Sequence, residues 1–217
     1  MNYKYFSEIY TSETEFKREK LQFFFDKSFR EKDEDLLRNQ YVALRQLQFE
    51  DKIVFVRECV ELSSLAENIT IACDILASGS GISFIYCGDG PCYINGNHKL
   101  ITRAVLNLLS NGYLYGKENL ITVNIIKSNT FSRLEVVNGG NPATPVRDGK
   151  GLSFVRNICN KLNGKFFIEQ TSSHTKAIML FENSLETKKP HLTDNFFSLV
   201  SDRLSPVCIE MFGMEYH

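Results

Sequence analysis

Three short polar segments, in a fixed order, constrain this chain more than any other feature. They are Asn107-Leu-Leu-Ser-Asn111, then Val137-Asn138-Gly139-Gly140-Asn141-Pro142, then Asp148-Gly149-Lys150-Gly151-Leu152. Asn107 and Asn111 lie four apart in a stretch with helical apolar spacing, so both amides project from one face of a helix. The second segment is a strand running into a Gly-rich turn. The third is a Gly-x-Gly that opens a helix, where glycines permit close backbone approach and a helix N-terminus favours anions. Helix, strand and helix in this order call for helices layered on a sheet.

The flanking sequence completes that layer. Residues 60–64 read as a short strand and 65–76 as a helix ending at Gly79-Ser80-Gly81. Residues 82–86 and 92–94 are short strands around the turn-forming Gly88-Asp89-Gly90-Pro91. Asn97 is placed to cap a long helix reaching Tyr115. Residues 120–126 and 131–137 alternate as strands, 152–162 is helical, and Asn163-Gly164 is a helix stop. Residues 166–169 and 176–181 finish the sheet. The expected fold is an α+β two-layer sandwich, its sheet mostly antiparallel, with helices on one face.

Residues 1–58 differ in character. Leu21, Phe24, Phe25 and Phe29, then Leu37, Tyr41, Leu44 and Leu47, form one-sided apolar stripes about the charged 30–35 break. This pattern predicts a helical hairpin that buries its aromatic face in a homodimer or on the next domain. The expected division is therefore 1–58 hairpin, 59–183 sandwich, and 184–217 linker and tail. In the last part Lys188-Lys189-Pro190 marks the linker. Asn195–Met214 is apolar enough to pack as helix or strand, on its own domain or on a partner.

Composition narrows the function. A net charge of −1, from 25 basic and 26 acidic residues, leaves no electrostatic footprint for nucleic acid. No apolar run reaches the roughly 18–20 residues that span a bilayer, and the polar first residues lack a signal region. The six cysteines show no paired spacing and no histidine stands at ligand distance from one. Reduced thiols in a cytoplasmic protein are expected.

The three segments together resemble the nucleotide-binding boxes of the GHKL ATP-binding superfamily, the Bergerat fold, and specifically the catalytic domain of sensor histidine kinases. The resemblance covers residues 60–182. It implies ATP and Mg²⁺ as ligands, with Asn107, Asn111, Tyr115, Asn138, Gly140, Gly149, Lys150, Gly151, Leu152 and Thr175 binding the cofactor and Asn111 holding the metal. An amide oxygen suits Mg²⁺, which takes few protein ligands and the rest from phosphates and water. Related ATPases carry a water-activating Glu where Asn107 stands, and an amide cannot be a general base. Gly149-Lys150-Gly151-Leu152-Ser153 matches the family well, and His174-Thr175-Lys176 resembles its terminal Thr-containing box.

Departures from the pattern bear on activity. The family's adenine-selecting Asp is Asn138, whose uncharged oxygen weakens the bond to adenine by roughly 1 kcal/mol, about fivefold in affinity. The phosphate-neutralising Lys is replaced by Leu114, with Lys117 nearby as a substitute charge. The segment from Asn141 to Asp148 makes a short lid, which leaves nucleotide poorly sequestered. No histidine precedes His98, so the usual phosphoacceptor on the hairpin is missing, and His98 reads as a surface or capping residue. No catalytic residue is assigned. Two functions are expected from these features: a histidine kinase-like protein that binds Mg-ATP and phosphorylates a signalling partner, or a non-catalytic regulatory module built on the same fold.

Overall fold

The computed structural model describes residues 39, 41–45, 56–116, 118–139, 149–184, 190 and 193–214. The chain divides into two compact units, Met1–Lys52 with Phe212–His217, and Ile53–Met211. In the first, residues 41–45 are helical, and the rings of Tyr41 and Phe212 lie 5.1 Å apart. The rest of the expected hairpin lies outside the described residues.

The second unit is the two-layer sandwich. Strand β1 (Glu58–Glu61) leads directly into α1 (Leu62–Leu76). Strands β2 (Ser83–Gly88) and β3 (Tyr93–Gly96) precede the long helix α2 (His98–Tyr115). The hairpin β4 (Leu120–Lys127) and β5 (Phe131–Gly139) follows, then α3 (Lys150–Lys161), β6 (Lys165–Gln170) and β7 (His174–Glu182). Two short helices, α4 (Phe196–Ser201) and α5 (Pro206–Met214), come last. Five strands form one sheet in the order β2-β4-β5-β7-β6, and β1 pairs with β3 in a separate ribbon. In the five-stranded sheet only β2–β4 is parallel.

Alternation along the strands sets the two faces of the sheet. Ile121, Val123 and Ile125 of β4 are buried, as are Leu134 and Val136 of β5 and Met179 and Phe181 of β7. They lie under α1, α2 and α3, whose buried rows include Ile69 and Ala72, Ile101 and Val105, and Val155 and Ile158. On the opposite face Ile85, Leu120, Ile126, Phe131 and Phe167 stay exposed. Cys159, on the buried face of α3, belongs to this core, and burial pushes its thiol up to about 12. Such a thiol is inert packing material.

Two boundaries differ from the sequence reading. The strand expected at 60–64 lies at Glu58–Glu61, and the helix starts at Leu62 instead of Leu65. The Leu62 N–H donates to the Cys92 carbonyl (2.7 Å) and the Ser63 hydroxyl accepts from the Cys92 N–H (3.1 Å). The turn is thereby held on the β3 side, and Leu62, Leu65, Ala66 and Ile69 form one buried helical row. The apolar tail is helical, and its first part packs on α1. The Phe196 N–H donates to Asn68 of α1 (2.9 Å), and Ser64 meets Thr193 at 3.1 Å.

The ends of α2 and α3 obey their sequence signals. The Asn97 side chain accepts from the Leu100 N–H at 3.1 Å and donates to the Val56 carbonyl at 2.9 Å. Asn163, with φ of 58°, takes the left-handed position after α3, and the Gly164 N–H returns to the Cys159 carbonyl at 2.7 Å. Because Asn97 is buried and satisfies both a helix N–H and the Val56 carbonyl, Asn97→Ala lowers unfolding free energy by about 1–2 kcal/mol. Urea unfolding reads this directly, and an unchanged midpoint would contradict the cap.

Candidate functional site

The site is built where α2 meets the first turn of α3. Arg103, Asn107 and Asn111 form an i, i+4, i+8 row on α2. Asn107 is buried, and its Nδ2 donates to the Arg103 carbonyl at 2.8 Å. With the amide nitrogen so engaged, Oδ1 is the atom directed at α3. A methyl group built on Gly151 would lie 3.0 Å from that Oδ1 and 3.9 Å from Asn111 Nδ2. Two predicted segments, far apart in sequence, are therefore in contact, and a larger residue at 151 would push the amide aside.

The same turn carries the anion chemistry. Gly149 caps α3 in extended conformation, contributes no side-chain hydrogen bond, and no acidic residue occupies the first turn. A helix end of this kind carries a partial positive charge that suits an anionic ligand. One turn further on, the Arg103 guanidinium covers the Phe154 ring at 4.8 Å. The residue pairs 103/107 on α2 and 154/151 on α3 thus meet in step, which sets the register of one helix along the other.

A second cluster lies at the end of the sheet. Asn138 of β5 is in register with Ile121 of β4 and with Thr175 of β7, so all three share the helix-bearing face. The end of α2 comes down beside them. Gly116 closes that helix, with its N–H on the Gly112 carbonyl at 2.8 Å, and a methyl built on Gly116 would lie 3.5 Å from Asn138 Nδ2. The same methyl would collide with the Gly112 carbonyl itself.

The remaining predicted positions are distributed around these clusters. Gly149 and Lys150 are exposed, and Tyr115 is 75% exposed, so its ring is presented outward. Leu152 is buried in the core under α3. Gly140, the 141–148 lid and Lys117 lie outside the described residues. His98, first residue of α2, directs both its N–H (2.8 Å) and its Nδ1 (2.5 Å) to Glu58, consistent with a capping role. Sequence reading missed Arg103, though its four-residue offset from Asn107 was the available signal. Among the described residues no group of His, Cys, Asp and Glu is arranged to hold a metal.

Neither a protein-family model nor a curated protein matches the chain. Solved structures do. The catalytic domain of histidine kinase ThkA aligns over 60% of this chain and 99% of its own, with TM-score 0.54 and 20% identity. ThkA in complex with response regulator protein TrrA aligns over 71% of this chain and 50% of its own, with TM-score 0.56 and 19% identity. Full-length ShkA in complex with AMPPNP aligns over 71% of this chain and 39% of its own, with TM-score 0.57 and 14% identity. The fold is the two-layer sandwich of histidine kinase catalytic domains, the GHKL-type fold.

Gly116→Ala sets a methyl against a backbone carbonyl that cannot swing away, so it shortens α2 and displaces Asn138. A loss of about 1–3 kcal/mol in stability is expected, within the range of strained backbone positions. Thermal unfolding at wild-type stability would show that the helix end has room.

Proposed function

We propose that the chain is an ATP-binding module of the histidine kinase type, which holds Mg-ATP at the α2–α3 junction. The contact between Gly151 and the buried amide of Asn107 carries this reading. It joins a helix N-terminus, suited to phosphate, to two amides, suited to a hard cation. These residues fit the cofactor. The first-turn amides of α3 would take phosphate oxygens, Asn111 would offer its amide oxygen to Mg²⁺, and Asn138 with Thr175 would receive the adenine. When bound, Mg²⁺ supplies charge neutralisation on the phosphates. Tyr115, Lys150 and Gly140 belong to the same proposed site.

The chain's own residues limit the chemistry available to a bound nucleotide. Asn107 is an amide and cannot deprotonate water, so binding need not lead to hydrolysis. The only histidine within residues 1–98 is His98, and its Nδ1 is held by Glu58. Phosphoryl transfer, if it is the output, goes to a histidine or other acceptor on a separate signalling protein. ThkA, a histidine kinase, was solved in complex with a response regulator protein. A homodimer through residues 1–58 and a cytoplasmic location complete this reading, and among the described residues no helix is long and apolar enough to cross a membrane.

One feature favours a second reading, a non-catalytic module that uses nucleotide to set the shape of a protein-binding surface. Leu114, half-buried, stands where the family places the phosphate-neutralising Lys. The two readings share the binding step and part at transfer from labelled ATP to candidate partners.

Calorimetric titration tests the shared step. Mg-ATP binds in the micromolar to sub-millimolar range, roughly −4 to −8 kcal/mol, and Asn111→Ala weakens it about tenfold or more. Gly151→Ala weakens binding as well and lowers the melting temperature, because a methyl 3.0 Å from the buried Asn107 Oδ1 must displace that amide, which outweighs the roughly 1 kcal/mol by which alanine favours a helix over glycine. A folded protein that shows no heat with Mg-ATP would end the nucleotide reading.

A further inference from the structure

We infer that Arg103 and Phe154 together form a clamp that positions the phosphate subsite, a role that rests on the nucleotide-binding reading above. Arg103 reaches the site in two ways. Its carbonyl holds the Asn107 amide at 2.8 Å, which aims Oδ1 at Gly151. Its guanidinium covers the Phe154 ring at 4.8 Å, one helical turn beyond Gly151.

These contacts act on one degree of freedom. With its small residue at 151, α3 can approach α2 closely at that point, and nothing bulky there stops it from sliding along the helix. The stacked guanidinium supplies the stop. It fixes α3 at the register that places the amides of its first turn beside Asn107 and Asn111. Arg103 is buried, and a desolvated guanidinium on an aromatic face is held more firmly than an exposed one. The planar group can stack where an aliphatic chain can only pack.

The clamp touches α3 and leaves the sheet-end cluster of Asn138 and Thr175 alone. Its loss should therefore be felt by the phosphates and not by the base. That separation distinguishes positioning from general damage to the fold.

The test uses the full chain and the variants Arg103→Met, Phe154→Leu and their combination, each first shown to be folded by circular dichroism. Affinity is measured for Mg-ATP by calorimetry and for adenosine by ligand-observed NMR. Each single variant is expected to lose about tenfold in Mg-ATP affinity, and the double variant no more than either, as for residues acting through one contact. Adenosine affinity stays within about twofold, and Arg103→Lys, which keeps a cation over the ring, recovers part of the loss. Equal losses for adenosine and Mg-ATP, or additive losses in the double variant, would overturn the clamp while leaving the nucleotide site standing. Unchanged Mg-ATP affinity in Arg103→Met would also overturn it. A wild-type chain that binds neither ligand would overturn the nucleotide reading, and the clamp with it.

Discussion

The structure depends on a close approach between two helices that only a glycine permits. Gly151 leaves just enough room for the buried Asn107 amide, at 3.0 Å from where a side chain would begin. That spacing governs everything else at the site. The first turn of α3 lies beside Asn107 and Asn111, its Gly149 cap brings no side-chain hydrogen bond and its first turn no acid, and Arg103 closes the gap one turn away on Phe154. The sheet beneath serves as a platform. Its buried rows hold α1, α2 and α3 on one face, while β5 and β7 deliver Asn138 and Thr175 to the same end.

The polar chemistry is made of amides and helix dipoles, with few charges. This matters for what the fold can do. A carboxylate at Asn107 would make a general base, and a Lys at Leu114 would add a full charge for phosphate. Neither is present. In the proposed reading these residues hold an anionic ligand with its metal and do not attack it with water, since preorganised neutral donors bind charge without supplying a proton acceptor. Phosphoryl transfer to another protein needs positioning and charge stabilisation more than a base, so the amides leave that route open.

Most of the fold was legible because its signals are local. The Asn97 cap, the Asn163-Gly164 stop and the alternation of 120–126 and 131–137 each act within a few residues, and each reappears in the structure. The start of α1 was misplaced because the Leu62 and Ser63 bonds to Cys92 are made by a segment some thirty residues away (a separation of 29 for Ser63). The separate β1–β3 ribbon and the parallel β2–β4 pair arise in the same way, from pairings that no local pattern records. At the site, Asn107, Asn111 and Gly151 stood out as a spaced set and do come together. Arg103 did not, because a lone arginine among apolar residues reads as surface until the ring of Phe154 is placed over it. Leu152 was read with the glycines beside it, yet a leucine on the inner side of an amphipathic helix goes to the core.

The central claim is that the first turn of α3 and the amides of α2 form one ligand-binding junction. Backbone and side-chain amide chemical shifts, tracked by two-dimensional NMR during a Mg-ATP titration, test it most directly. The account predicts the largest shifts at Gly149, Lys150 and Gly151 and at the side-chain amide of Asn111, saturating together. Shifts confined to other parts of the chain, or none at those four residues when the ligand is saturating, would contradict it.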